Sequence, residues 1–362
     1  MAMEIETAEA AEVNGTPARQ RPARAGKKLV RRAAPDHSQA LRRTAQGLFL
    51  ALNVLIGFQF WLFVRHFETG ATPVPRPAGV EGWLPIAGLM NLRYFFETGR
   101  ISPIHPAAMF LLAAFLLMSV VFRKAFCGWL CPVGTISEAL WKLGRKVLGG
   151  NWGMPRFLDL PLRSLKYILL GFFLYAVVGM SAASIQAFLG SPYGLIADVK
   201  MLNFFREMGR TAGITLAALG VLSIFYQNFW CRYLCPYGAL MGLASVFSPA
   251  RIRRDPDRCI DCAKCARACP ARLPVDRLAT VRSAECMACM ECVAVCPARD
   301  ALQMSLPRRR NTPAWVLAAG IAVIFVAVVA LAKWAGVWQT DIPESLYREL
   351  IIKAGEFGHP GM

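Results

Sequence analysis

Five blocks of the chain, 45–64, 104–122, 167–189, 212–230 and 314–332, run for 19 or more positions without a Lys, Arg, Asp or Glu and are dominated by Leu, Phe, Ala, Val and Ile. They lack both the alternation of a half-buried strand and the polar stripe of an amphipathic helix. A helix needs about 20 residues at 1.5 Å rise to cross the hydrocarbon of a bilayer, so each block predicts a transmembrane helix. The polar intervals predict how the helices are oriented. Of the 41 Lys and Arg, 31 fall in 1–43, 123–166 and 230–312, against 10 in 65–103, 190–211 and 333–362. The positive-inside rule then puts the N-terminus in the cytoplasm of a bacterial inner membrane and the C-terminus in the periplasm, as five spans require.

Composition supports this reading. At 56% hydrophobic and 18% charged residues the chain is too apolar for an ordinary soluble domain, and its net charge of +18 comes without the polar surface of a nucleic-acid binder, so no nucleic-acid partner is expected. Residues 1–44, rich in Ala, Arg and Pro, predict a disordered basic cytoplasmic tail with no cleavable signal. Arg31-Arg32 is followed by Ala33-Ala34-Pro35 instead of an apolar consensus, so topology rather than twin-arginine export accounts for it.

All 12 cysteines lie in the segments expected on the cytoplasmic face, where thiols stay reduced, so a disulfide framework is not expected. Four of them belong to an internal repeat: Phe126-Cys127-Gly128-Trp129-Leu130-Cys131-Pro132 returns as Trp230-Cys231-Arg232-Tyr233-Leu234-Cys235-Pro236. Each copy follows a span running inward, which predicts two repeated helical hairpins related by an axis along the membrane normal. Cysteines four apart on a helical end share a face, so Cys127, Cys131, Cys231 and Cys235 can converge on one point. Four thiolates suit a shared Fe–S cluster, but also zinc, a pair of redox dithiols or plain packing.

The other eight are more specific. Cys259-x2-Cys262-x2-Cys265-x3-Cys269-Pro270 and Cys286-x2-Cys289-x2-Cys292-x3-Cys296-Pro297 repeat the spacing of bacterial two-cluster ferredoxins, in which the fourth cysteine of each run crosses to the other cluster. The expected ligand sets are Cys259, Cys262, Cys265 and Cys296 for one [4Fe-4S] cluster, and Cys286, Cys289, Cys292 and Cys269 for the second. Zinc ribbons use paired C-x2-C instead. The module is too small for a large core, so its fold should depend on its clusters. The flanking Arg251-Ile252-Arg253-Arg254 and Arg308-Arg309-Arg310 read as positive-inside anchors that can also meet anionic headgroups or an acidic redox partner.

Twin C-x3-C-P motifs after membrane spans, followed by a double [4Fe-4S] module, resemble the NapH and NosR type of membrane-bound polyferredoxin over roughly residues 45–310. The resemblance implies respiratory electron transport between the quinone pool and a reductase or cytochrome partner on the outer face, as a component rather than a stand-alone enzyme, or else maturation or redox sensing for a respiratory metalloenzyme. It implies electron-transfer roles for Cys127, Cys131, Cys231 and Cys235. The chain departs from NosR in lacking the large flavin domain, and from NapH in its fifth span and outside tail. The full expectation is an α-helical integral membrane protein with an inserted cytoplasmic α+β ferredoxin domain. It is divided as 1–44 tail, 45–135 first hairpin, 136–166 linker, 167–250 second hairpin, 251–307 ferredoxin, 308–335 fifth helix and 336–362 outside tail.

Other chemistry is sparse. The four histidines, His37, His66, His105 and His359, leave every span interior without a haem ligand, so no haem is expected; His66 and His105 sit at the outer ends of adjacent spans and could face each other. Thr69-Gly70-Ala71-Thr72 resembles a flavinylation string but lacks its acidic or amide residue, so no flavin is expected either. Asn53, Gln59 and Gln186 are the polar side chains within spans that a quinone site could use. No nucleophile–base set, P-loop or dinucleotide motif is present.

Overall fold

The computed structural model describes residues 30–32, 36–307 and 311–358. What the sequence predicts for 1–29 and 33–35, for the Arg308-Arg309-Arg310 run and for His359 lies outside the described residues. Two apolar blocks become single long helices. Ser38–Thr69 has 32 residues, about 48 Å, and ends where Gly70 turns left-handed (φ 70°). Ala314–Trp334 has 21 residues, with Trp315 and Trp334, 62% and 86% exposed, at its ends. Those rings lie about 28 Å apart along the axis, close to one hydrocarbon width, as interfacial tryptophans do.

The other blocks do not each form one unbroken helix of spanning length. Arg156–Val178 starts inside the segment expected as a linker and stops at Gly179; Ser181 then caps a separate helix, Ala182–Leu189, by accepting from the Ser184 N–H (3.2 Å). Block 167–189 is therefore broken, because hydropathy does not register a backbone interruption made of apolar and small residues. Arg210–Phe225 has 16 residues and meets Ala197–Arg206 at an 80° bend, while Pro106–Phe122 has only 17. Among the described residues three helices are long and apolar enough to cross a membrane, or four if the bent pair counts as one.

The two long elements of the first expected hairpin do not pack on each other, whereas in the second Arg156–Val178 packs on Trp230–Leu234 and Pro236–Ser245. Pro106–Phe122 is enclosed mainly by Pro85–Thr98, Ala314–Trp334 and Pro236–Ser245, not by Ser38–Thr69. Small residues allow the approach: a Cβ on Gly88 would lie 2.7 Å from the Ala108 carbonyl, and one on Gly320 would lie 2.3 Å from the Phe122 ring. The supposed linker contains the amphipathic helix Pro132–Leu148, which packs on Arg210–Phe225. There Gly144 meets the Ile224 carbonyl so closely that a Cβ would be 1.9 Å from it. Gly144→Ala is expected to lower the thermal stability of the detergent-solubilised protein by about 1–3 kcal/mol through overpacking. Gly171→Ala, with open space around it, should leave the melting curve where it was.

The tail also needs correcting. Helix starts at Ser38, and residues 30–32 pair with the ferredoxin module: the Arg32 N–H donates to the Pro297 carbonyl (3.2 Å) and the Arg299 N–H to the Val30 carbonyl (2.8 Å). The module is α+β, as expected. Its antiparallel sheet has the order β2-β1-β3, with β1 at Arg251–Arg254, β2 at Thr280–Val281 and β3 at Leu302–Ser305, and Ile252 pairs with both Val281 and Met304. At the far end of the helices a buried ion-pair network, Arg76 with Asp198 (2.6 Å) and Glu81 (2.8 Å), ties the 75–81 segment to Ala197–Arg206. Tyr347, on the C-terminal helix Glu344–Ile352, packs edge-on to Phe63.

Candidate functional site

The twin motifs form two equivalent corners. In the first, the short helix Ala125–Trp129 breaks at Leu130, and Cys131 caps the next helix, Pro132–Leu148, by accepting the Gly134 N–H at Sγ (3.4 Å). In the second, the turn Trp230–Leu234 leads to Cys235, which caps Pro236–Ser245 and accepts the Gly238 N–H (3.2 Å). Proline at the first helical position dictates this geometry: its fixed φ starts the helix, and its missing N–H is one that a helix start leaves unpaired anyway. The two cysteines of a copy therefore do not ride on one continuous helix, as the spacing predicted; the corner instead aims both at the same space. Cys127, Cys131, Cys231 and Cys235 line a single cavity, with Lys124, Asn228, Arg232, Tyr237 and Glu285.

The ferredoxin module makes two more cavities. One is lined by Cys259, Cys262, Cys265 and Cys296, the other by Cys269, Cys286, Cys289 and Cys292. The crossing arises from two short helices. Lys264–Ala268 has Cys265 within it and Cys269 at its end, one for each cavity, and Glu291–Ala294 carries Cys292 with Cys296 just beyond. Around each central cysteine the flanking residues turn left-handed: Asp261 and Ala263 (both φ 55°), and Ala288 and Met290 (φ 49° and 57°). Such angles are uncommon for residues with a side chain, and they curl each C-x2-C-x2-C loop around its cavity.

All twelve cysteines are free of disulfides. Burial pushes the Cys131 and Cys269 thiols up to about 11 and Cys289 to about 12. Thiols held in that state become ligands only when a cationic group displaces their protons. Among the described residues no three His, Cys, Asp or Glu converge closely enough for a single metal ion; the cysteines ring open space instead. Four soft sulfurs around a space fit a multi-iron cluster better than mononuclear zinc.

The third cavity and the module are built against each other. Pro270, Ala271 and Met287 line both the twin-motif cavity and the Cys269/Cys286/Cys289/Cys292 cavity. The Trp129 indole N–H donates to the Ala288 carbonyl (3.0 Å), and Gly128 lies so close to Met287 that a Cβ would be 2.5 Å from its carbonyl oxygen. Arg42, from the first long helix, donates twice to Glu138 (both 2.7 Å), once to Glu291 (2.9 Å) and once to the Gly128 carbonyl (3.2 Å). Arg232 donates to Asp159 (3.1 Å) and to the Ala271 carbonyl (2.7 Å). Glu285 accepts from Lys166 (2.5 Å) and Tyr167 (3.1 Å) and sits 3.7 Å from the Lys124 ammonium. These charged residues are not of the ligand type that the cysteine spacing marks. Their signal was adjacency, with Lys124 three residues before Cys127 and Glu285 directly before Cys286.

The remaining candidates disperse. His66 donates from Nδ1 to the Ala71 carbonyl (2.5 Å), whereas buried His105 meets the Gly194 carbonyl (2.9 Å) and Glu81 (3.5 Å), so the two histidines form no common site. Asn53 and Gln59 tie their helix to the loop beside it, through the Trp83 indole N–H (3.1 Å) and the Pro75 carbonyl (3.0 Å).

Apolar helices carrying a double-quartet cysteine module define a membrane-associated, ferredoxin-type electron-transport protein. A 4Fe-4S binding domain model matches residues 104–151 and again 211–254, so one model covers both copies of the repeat, and a 4Fe-4S dicluster domain model matches 250–304. The chain belongs to the family of YccM from Escherichia coli strain K12, a protein named for electron transport, with 48% identity over 326 residues, 88% of this chain and 91% of that one. It is also similar to the regulatory protein NosR of Pseudomonas aeruginosa (32% over 170 residues, 44% of this chain and 22% of NosR). The methylamine utilization ferredoxin-type protein MauN of Methylorubrum extorquens is 29% identical over 242 residues, 64% of this chain and 74% of MauN. No solved structure matches.

Proposed function

We propose that the chain is an electron conduit of the bacterial inner membrane, passing single electrons between cytoplasmic [4Fe-4S] clusters and either the quinone pool or a reductase on the outer face. Three cavities hold the carriers in this reading: Cys259, Cys262, Cys265 and Cys296; Cys269, Cys286, Cys289 and Cys292; and Cys127, Cys131, Cys231 and Cys235. The observation that carries it is the shared wall of Pro270, Ala271 and Met287, which leaves the module's inner cavity and the twin-motif cavity one residue layer apart. A cluster bound in such a cavity supplies one-electron chemistry. The chain's own residues hold the cavities adjacent, exclude water with Trp129, Met287 and Tyr237, and clamp the module to the helices through Arg42, Arg232 and Glu285. The charge count of the polar segments supports a cytoplasmic N-terminus and a periplasmic C-terminus.

Iron and acid-labile sulfide per anaerobically purified chain test the reading, with low-temperature EPR alongside. About 12 iron per chain corresponds to three [4Fe-4S] clusters and supports the conduit. About 8 confines clusters to the module and rejects the continuous relay. A second reading, maturation or redox sensing for a respiratory metalloenzyme, draws on the regulatory name of NosR. It predicts that trace amounts restore a partner reductase that then works without this chain, whereas a conduit is needed throughout turnover.

A further inference from the structure

We infer that Lys124 is a potential-setting residue: its buried ammonium makes the twin-motif cavity the electron sink of the relay and directs flow from the ferredoxin module toward the membrane. The inference rests on the proposed reading that this cavity holds a cluster. Lys124 belongs to the first motif but reaches across to the second. Its ammonium lies 3.6 Å from the point where a Cβ of Gly238 would stand, and the Cys235 sulfur lies 3.5 Å from that same point, so the cation and the second copy's cysteine border one glycine. Residue 124 is 3% exposed and lines the four-cysteine cavity.

The repeat makes the placement informative. The residue three before the first cysteine is Lys124 in one copy and Asn228 in the other, and both line the cavity. Two similar halves thus offer an amide on one side and a full charge on the other. The wider wall adds to the asymmetry. Lys124 and Lys166 share the single carboxylate of Glu285, and Arg232 and Arg163 share that of Asp159, leaving two positive charges in excess. Beside the Cys269/Cys286/Cys289/Cys292 cavity Arg42 and Lys142 face Glu138 and Glu291, and Arg232, on the Ala271 carbonyl of the shared wall, is common to both cavities, so the cation that sets the twin-motif cavity apart is Lys124. Adding an electron adds one negative charge, and in a poorly screened interior an unmatched cation favours that state. An electron is therefore held more tightly in the twin-motif cavity than in the module's inner one. The transfer is one electron from a reduced module cluster to an oxidised twin-motif cluster, with no bond made or broken.

EPR-monitored redox titration of the anaerobically purified full chain tests this, in the wild type, Lys124→Met and Lys124→Arg. With iron retained, Lys124→Met is expected to shift one cluster's reduction equilibrium at least tenfold toward the oxidised form, about 59 mV lower for a one-electron couple, and to leave the other two in place. Lys124→Arg should restore most of the shift, which a purely steric role would not do. A Lys124→Met protein that keeps its iron and titrates like the wild type overturns the inference. Should the Met variant lose iron, Lys124→Gln is read in the same way, and loss in both assigns Lys124 to cluster retention instead. About 8 iron in the wild type would mean that the reading beneath the inference has failed, and the inference with it.

Discussion

Chain carrying Cys131→Ser and Cys235→Ser together is expected to hold about 8 iron per molecule where the wild type holds about 12, and to lose reduction of its clusters by a membrane-soluble donor while dithionite still reduces the module. These two cysteines are the sharpest probes of the third cavity because each is fixed twice. It caps a helix through its own sulfur, and the proline behind it sets where that helix begins. Serine keeps the cap, since a hydroxyl also accepts the N–H, so the helices should survive while the soft ligand is lost. The module's eight cysteines are untouched, and its EPR signals serve as the internal control. About 8 iron in both proteins would mean that the twin motifs hold no cluster, and an unchanged rate of donor-dependent reduction would remove them from the path.

The second large effect concerns docking. Arg42→Ala leaves Glu138 and Glu291, both mostly buried, with only the part-exposed Lys142 as a cation, so the cost should approach but not exceed the about 3–5 kcal/mol of a buried pair broken from one side. We expect faster proteolysis of the 251–307 segment and slower electron transfer between module and twin motifs, with the module's own clusters intact. Arg42→Met with Glu138→Leu should destabilise less than Arg42→Ala alone, because no strong unpaired charge remains at Glu138. A double variant worse than the single would show that the pair contributes net attraction. Glu138 is held down at about 2; burial works against its charge, but Arg42 and Lys142 more than offset it. Its folded value lies below its ordinary 4.5, so its contribution is complete above 4.5 and fades only as pH falls toward 2. Across the neutral range the docking strength should therefore be independent of pH.

How much of the site was readable in advance depended on whether each signal is local. The crossed quartets were expected because C-x2-C-x2-C-x3-C-P is the spacing of two-cluster ferredoxins, whereas the left-handed turns at Asp261, Ala263, Ala288 and Met290 that curl the loops came from the tertiary structure. Cys269 lines the cavity of the second run and Cys296 that of the first. The twin motifs were readable as a repeat but not as a corner. Spacing alone permits one helix through Cys127 and Cys131, whereas Pro132 stops the first helix and starts a second. The start of the first long helix was misplaced for a different reason. Residues 38–44 carry charges that look solvated in sequence, and they become helical because Arg42 finds Glu138 and Glu291, 96 and 249 positions away.

Local chemistry in the sequence by itself determined that this is an apolar, helical, membrane-associated chain with a double-quartet ferredoxin module and a duplicated cysteine motif, since hydropathy and ligand spacing act over a few residues. Only the tertiary structure decided which helices run unbroken and that Pro106–Phe122 is wrapped by Pro85–Thr98 and Ala314–Trp334. It also decided that the module seats against the twin motifs through Pro270, Ala271 and Met287, and that the twin-motif cavity is walled by Lys124, Glu285 and Arg232. These outcomes depend on close backbone approach at small residues and on pairing of charges far apart in the chain, and neither leaves a mark on any short stretch of sequence.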